Sequence, residues 1–338
     1  MVSVGVVGCG YWGPNLVRNL AENKNCGRLV CCDIDAARLE LMKGRYSHIE
    51  TAGSIDDLLK MDGLDAVMIA TPVSSHYDLA RKALKAGKHV FIEKPFTTSV
   101  RHADDLISMA EECGLVLMVG HVFMYSPAVM KIKDVIDRGE LGNIYYLSST
   151  RVNLGIHQKD VSVVWDLAPH DLSMFFFWLG EGPVKVSATG KDFVQKGIMD
   201  VAFISMEFAC GAIGHMQLSW LSPSKLRRTT LVGSGKMLIY DDTKVTDKVR
   251  IFDKGVDLRD PQSFGEFQLS YRTGGVFSPT LENREPLHEE VADFLNCISN
   301  GHAPRSDGIT ARRVVRVIEA VECSLNNDSH VEEIVWEA

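Results

Sequence analysis

No apolar run in this 338-residue chain approaches the length of a bilayer crossing; Met174–Leu179 is apolar but far too short. A membrane-spanning helix is therefore not expected. Positive charge is in deficit as well, with 36 Lys and Arg against 44 Asp and Glu, a net charge of -8. That balance argues against wrapping nucleic acid or lying on an anionic membrane, since both favour a basic face. It leaves room for an anionic small molecule, which a few local lysines and backbone amides can hold. No C-x-x-C pair occurs among the eight cysteines, Cys9, Cys26, Cys31, Cys32, Cys113, Cys210, Cys297 and Cys323. They read as small buried hydrophobes instead of disulfides or zinc ligands, so no metal is expected and a reducing cytoplasm fits. The first residues enter a strand without the basic stretch and apolar region of a signal peptide. Repeats and low-complexity linkers are missing too.

What the chain does have is length enough for two domains, with 46% hydrophobic and 24% charged residues, the balance of a soluble globular protein. Over the first 120 residues, apolar runs at Val4–Val7, Leu29–Cys32, Ala66–Ala70, Val90–Ile92 and Leu115–Val119 alternate with helical patterns. Unalternating strands joined by helices predict a parallel sheet covered on both faces, in the doubly wound α/β arrangement. After about His121 the pattern changes to helices near Ala128–Arg138 and Leu167–Trp178 and a succession of adjoining strands. Turns at Gly211 and at Gly233-Ser234-Gly235 predict hairpins. An open, mostly antiparallel mixed sheet follows, with two helices closing the chain. The expected division is residues 1–122 and 123–338. Asp253–Thr280 is polar and is expected to be irregular.

Gly8-Cys9-Gly10-Tyr11-Trp12-Gly13 reads G-x-G-x-x-G directly after the first strand and opens a helix. Gly8 permits the tight turn, Gly10 lets backbone approach a pyrophosphate, and Gly13 allows close helix–strand packing. The helix N-terminus offers free amides to phosphates. Asp33 ends the second strand 20 residues after Gly13, the spacing of a carboxylate that bonds ribose hydroxyls. A carboxylate there repels a 2′-phosphate, which favours NAD over NADP; Arg38 nearby tempers that preference.

Further along, Ala70-Thr71-Pro72 leads through Ser75-His76 into a helix, and a later strand delivers Glu93-Lys94-Pro95. Together GCGYWG, ATPVSSH, AGKHVFIEKP and Asp166-x-x-x-His170 resemble the glucose–fructose oxidoreductase / inositol dehydrogenase / rhizopine catabolism family (Gfo/Idh/MocA). The resemblance covers the first 120 residues almost continuously and extends beyond them. It implies that Lys94 lies beside the nicotinamide and the reacting carbinol, that a cis peptide precedes Pro95, and that His170 takes the hydroxyl proton with Asp166 as its partner. A carboxylate four residues away on a helix can fix the imidazole tautomer, as a general base requires. The usual family spacer is D-x-G-x-H; here Ala168-Pro169 stand in its place and Val163-Val164-Trp165 precede it. Asp166 is read as the helix N-cap, with Pro169 in the first turn.

Cofactor contacts are thus expected from Gly8, Gly10, Tyr11, Trp12, Gly13, Asp33, Arg38, Thr71, Pro72, His76, Glu93 and Lys94. Substrate contacts are expected from Lys94, His121, Tyr125, Arg151, Asn153 and His170, with Gln158 a further candidate. The implied activity is an NAD-dependent interconversion of a secondary alcohol and a ketone on a sugar, a nucleotide sugar oxidised at C3 in the favoured version. The nicotinamide would face an interdomain cleft. A free polyol dehydrogenase, an NAD-dependent glycosidase and a dinucleotide-sensing regulator stay open as alternatives. The resemblance also implies a homodimer or homotetramer formed through the second-domain sheet.

Overall fold

In a computed structural model, residues 1–155, 157, 161–258 and 269–336 are described. Gln158 falls outside them. The chain divides into two compact units, one of Met1–Ser126 and Arg284–Arg316, the other of Pro127–Asn283 and Val317–Ala338. The division at 122/123 drawn from local pattern thus differs near the C-terminus, where Arg284–Arg316 joins the first unit.

The first unit is built on six strands: β1 (Val2–Val7), β2 (Cys26–Cys32), β3 (Glu50–Ala52), β4 (Ala66–Ile69), β5 (His89–Glu93) and β6 (Leu117–Gly120). Their order across the sheet is β3-β2-β1-β4-β5-β6 and every pairing is parallel. Helices α1 (Gly13–Glu22), α2 (Ala36–Arg45), α3 (Ile55–Leu59), α4 (His76–Lys85) and α5 (Val100–Cys113) connect the strands. Because both faces are covered, the central strand β4 is apolar at every position, and all four of its residues are fully buried. Such a sheet gathers its ligands at the carboxyl ends of the strands, where the order reverses. Gly8 follows β1, Asp33 follows β2, Ala70-Thr71 follow β4, Lys94 follows β5 and His121 follows β6. All the first-unit motifs therefore emerge at one edge. Helix α8 (Pro286–Asn300) packs against α1 and β1, with Phe294 edge-on to Phe91 at 5.8 Å, which is why this late segment belongs with the early ones.

The second unit holds α6 (Pro127–Asp137), β7 (Ile144–Leu154), α7 (Val163–Leu179), β8 (Pro183–Lys191), β9 (Val201–Phe208), β10 (Ile213–Ser219), β11 (Leu221–Gly233), β12 (Met237–Asp241), β13 (Val249–Leu258) and β14 (Leu269–Phe277). Helix α9 (Gly308–Asn326) is divided between the units at Arg316/Val317, and β15 (Glu332–Glu333) is the last strand among the described residues. The nine strands run β14-β13-β12-β11-β7-β10-β9-β8-β15, antiparallel throughout except for β7 beside β10. Gly211 and Gly233–Gly235 make the two expected hairpins. Helix α7 lies on one face of this sheet. Its Trp178 is fully buried, donates its indole N–H to the Val129 carbonyl at 3.1 Å, and meets Tyr240 edge-on.

Three local expectations are corrected. Asp253–Thr280 contains most of β13 and all of β14, and of its described strand positions only Gly255 is buried, so the segment lacks the apolar signature of a core strand. Helix α7 begins at Val163 with Ser162 as its N-cap, because Val163 and Val164 are fully buried and extend the apolar stripe backwards. Asp166 is consequently inside the helix, and Pro169 sits in its second turn. All eight cysteines are free thiols, and Cys113, Cys210 and Cys323 are exposed, so packing accounts for only some of them. Among the described residues no helix is long and apolar enough to cross a membrane.

Candidate active site

The turn after β1 shapes a pocket of about 720 Å³ in the first unit. Gly8 adopts φ +96°, and a side chain there would press on the Ala70 carbonyl at 2.7 Å. A Cβ at Gly13 would run into the Gly8 carbonyl oxygen, so the turn and the start of α1 close on each other only with glycine at both places. Gly8, Gly10, Tyr11 and Trp12 line the pocket from this side. Asp33 and Arg38 line it from β2 and α2, and Thr71 and Pro72 from the end of β4. A glycine cradle at a helix N-terminus, opposite a buried carboxylate, fits a dinucleotide in both shape and charge.

Asp33 is buried and held from two directions. One oxygen accepts the Cys9 backbone N–H at 2.7 Å and the other accepts that of Asp35 at 2.9 Å. Arg38 stands 3.6 Å from Asp33 and 3.4 Å from Asp35, so its charge is already shared between two carboxylates. His76, expected to touch the cofactor, is instead buried, with its ring nitrogens 2.9 Å from the Pro95 carbonyl and 2.8 Å from the Thr71 carbonyl. It braces the loops after β4 and β5 against each other.

Lys94 follows β5, partly exposed, and the Lys94–Pro95 peptide is cis. The Glu93 side chain folds back over Gly120 and accepts the Lys94 backbone N–H at 3.3 Å. Although part of its surface is accessible, surrounding protein pushes the Glu93 carboxyl up to about 7, with Lys94 and the Trp12 indole pulling the other way. His121 is buried, and neither ring nitrogen has a hydrogen-bond partner among the described residues. Burial, and secondly the charge of Lys94, depress it to about 4, so it is a neutral imidazole at physiological pH. Glu290 of α8 lies in the same interior, fully buried. Desolvation first, then the neighbouring Glu93 and Asp293, hold it well above the ordinary carboxylate range. Sequence reading did not single out Glu290. The available signal was a carboxylate on the apolar stripe of α8, flanked by buried Leu287, Val291 and Phe294.

Tyr125 is also buried and uses its hydroxyl internally, donating to Asp293 at 2.7 Å beneath the Arg305 guanidinium, 4.8 Å from the ring.

In the second unit, Asp166 and His170 are four residues apart in unbroken α7 and share one of its faces. The Trp220 indole N–H donates to Asp166 at 3.1 Å, fixing the carboxylate from the end of β10. Trp220 is a positioning contact that no motif announced. Arg151, expected to reach an anionic substrate group, is buried on β7 and bonded twice to Asp171, at 2.8 and 3.0 Å. Asn153, two residues on, is half-buried.

Comparison with known proteins bears on these motifs. Residues 2–121 match the family model "Oxidoreductase family, NAD-binding Rossmann fold" (GFO_IDH_MocA), and residues 129–239 match the GFO/IDH/MocA C-terminal domain. The UDP-N-acetylglucosamine 3-dehydrogenase of Acidithiobacillus ferrooxidans is 32% identical over 263 residues, 78% of each chain. The scyllo-inositol 2-dehydrogenase (NAD(+)) of Bacillus subtilis is 30% identical over 351 residues, covering 98% of this chain and 96% of the relative. The solved structure of the Acidithiobacillus enzyme superposes with a TM-score of 0.80 at 27% identity, over 96% of this chain and 97% of that one.

Proposed function

We propose, from the premise that this chain belongs to the Gfo/Idh/MocA oxidoreductase family, that it interconverts a secondary alcohol and a ketone on a nucleotide sugar, with C3 as the reacting carbon. The family makes it an oxidoreductase with an NAD-binding Rossmann domain. The finer reading is carried by the nucleotide-sugar relative, similar in sequence over 78% of the chain and in fold over nearly all of it, together with retention of Lys94 and His170.

NAD, when bound, supplies the hydride acceptor. In this reading the Gly8–Gly13 turn and the first amides of α1 hold its pyrophosphate, and Asp33 accepts the adenosine ribose hydroxyls. His170, oriented by Asp166, removes the proton from the substrate hydroxyl. The Lys94 ammonium stabilises the negative charge that develops on that oxygen. Glu93 keeps Lys94 in place from below, and neutral His121 stands by as a hydrogen-bonding group that does not compete with the lysine for charge. In the reverse direction His170 returns the proton. Arg151 and His76 act as internal braces, and Tyr125 as an anchored wall.

The inositol dehydrogenase relative spans almost the whole chain, so a free polyol is the second reading. A panel decides between them: UDP- and dTDP-sugars against inositols, each tested for NAD reduction, with the corresponding ketone tested for NADH oxidation. Faster turnover of inositol than of every nucleotide sugar would overturn the first reading.

Asp33 gives a cofactor prediction. NAD should raise the melting temperature more than NADP at equal concentration. Asp33→Ala should narrow that gap, because Arg38 then loses one of its two carboxylates and is freed for a 2′-phosphate. Equal shifts in the unmodified protein would remove the argument.

The proposed partner is a second copy of the chain. On the solvent side of the second-unit sheet, exposed Phe203, Tyr146 and Ile213 lie on neighbouring strands, with Ile213 in register beside Tyr146. Phe203→Glu combined with Ile213→Glu should reduce the mass measured by light scattering to that of one chain if this face joins the copies. An unchanged multimer would assign the joint elsewhere.

A further inference from the structure

Helix α8 carries Asp293 and Cys297 one turn apart, hence on one face. Gly301 ends the helix, and the chain turns at once to bring His302 back beside them. The Cys297 sulfur lies 3.1 Å from His302 Nδ1 and 3.8 Å from Asp293 Oδ1, and one ligand atom from each of the three residues lies within 4.8 Å of the others. The second carboxylate oxygen of Asp293 is already committed. It accepts the Tyr125 hydroxyl at 2.7 Å and the Arg305 backbone N–H at 3.2 Å. Those bonds fix the carboxylate plane and leave Oδ1 facing the sulfur, as outer contacts orient a ligand in a metal site. Cys297 and His302 also border a pocket of about 400 Å³, shared with His89, Glu111 and Asp307.

We propose that Asp293, Cys297 and His302 form a binding site for zinc or a chemically similar divalent cation, with water from the adjoining pocket completing the coordination.

The donor set is one sulfur, one imidazole nitrogen and one carboxylate oxygen, a combination suited to a borderline-soft ion that takes tetrahedral geometry. With bonds of about 2.3 Å to sulfur and about 2.0 Å to nitrogen or oxygen, neighbouring ligand atoms stand roughly 3.5 Å apart. The sulfur–carboxylate distance is near that already. The sulfur–imidazole distance has to open by a few tenths of an ångström, which exposed His302 can supply from its place beyond the helix end. The alternative occupant of the cluster is a chain of ordinary hydrogen bonds, His302 Nδ1–H to the sulfur and S–H to Asp293, and stoichiometric metal retention separates the two. Binding replaces the thiol proton, which passes to solvent as the thiolate–metal bond forms. The ion would join the end of α8 to the segment through Ser306, whose carbonyl accepts the Val119 backbone N–H and whose hydroxyl meets Tyr125. The role is structural and independent of which alcohol the protein oxidises.

The full-length protein, stripped with a chelator, is given one equivalent of zinc chloride and desalted, and its metal content is measured by mass spectrometry. One equivalent should be retained, and the melting temperature should rise with zinc. Substitution with cobalt(II) should produce a thiolate-to-cobalt charge-transfer absorption. His302→Ala changes an exposed side chain and should keep the fold, yet lose both zinc retention and the thermal shift; Cys297→Ser should lose the charge-transfer band. Zinc retained equally by the unmodified protein and His302→Ala, no retention by the unmodified protein, or cobalt binding without the sulfur band would each overturn the proposal.

Discussion

Replacing Lys94 with alanine is expected to lower turnover by at least about 10²-fold, and His170→Ala by about 10²–10⁴-fold, the range set by loss of a positioned acid–base group. NAD affinity should change little in either variant, because the cradle at Gly8–Gly13 and the Asp33 carboxylate are separate from both side chains. Steady-state rates with the best sugar from the panel, together with NAD titration by fluorescence, measure the two effects apart. His170→Ala should also remove the acidic limb of the rate–pH profile if the imidazole is the base, since that limb reports its protonation. Asp166→Asn tests the supporting arrangement: the Trp220 contact can persist to the amide oxygen, but the negative charge that favours the imidazolium is gone. Near-normal rates in Lys94→Ala and His170→Ala would remove the proposed catalytic pair.

The second large effect is on stability. Asp171→Ala should destabilise the second unit by about 3–5 kcal/mol, because it removes the bidentate carboxylate from a guanidinium buried on β7. The damage should be specific to breaking the pair and not to losing charge as such. Arg151→Met with Asp171→Leu, which removes both ions and fills similar space, should recover most of the loss. Urea unfolding of these proteins, with Arg151→Met and Asp171→Leu made singly as well, completes the double-mutant cycle. A single Asp171→Ala variant as stable as the unmodified protein would show that Arg151 is adequately held without its carboxylate.

These two predictions also mark what the residues alone could reveal. The dinucleotide cradle was legible because it is local: a strand, a glycine turn and a helix start within about a dozen residues, with a carboxylate one strand further on. The parallel sheet was legible for a related reason, since burial on both faces leaves unbroken apolar runs. Arg151 was misjudged because its partner Asp171 lies 20 residues away, on a helix instead of a neighbouring turn. Arg284–Arg316 was placed with the second half because a helical pattern states that a face is buried, not against what. Short β3 and α3 offered too few residues for a period to show, and β14, exposed on much of both faces, has no apolar rhythm to read. Cysteine was read by motif, and Asp293, Cys297 and His302 match none, though a helical turn and a glycine stop bring them together.

Glu93 and Glu290 carry a consequence for how the first unit assembles. Glu93 rises from an ordinary 4.5 to about 7 and Glu290 climbs well above its own ordinary value, so both bind protons more tightly folded than unfolded. Collapse of this half of the chain therefore draws a proton onto Glu93 between about pH 4.5 and 7, with Glu290 adding uptake in the same direction, and the stability it gains shrinks as pH climbs through that interval. The interior beneath the lysine strand is a small acid store, filled by folding and emptied by alkali.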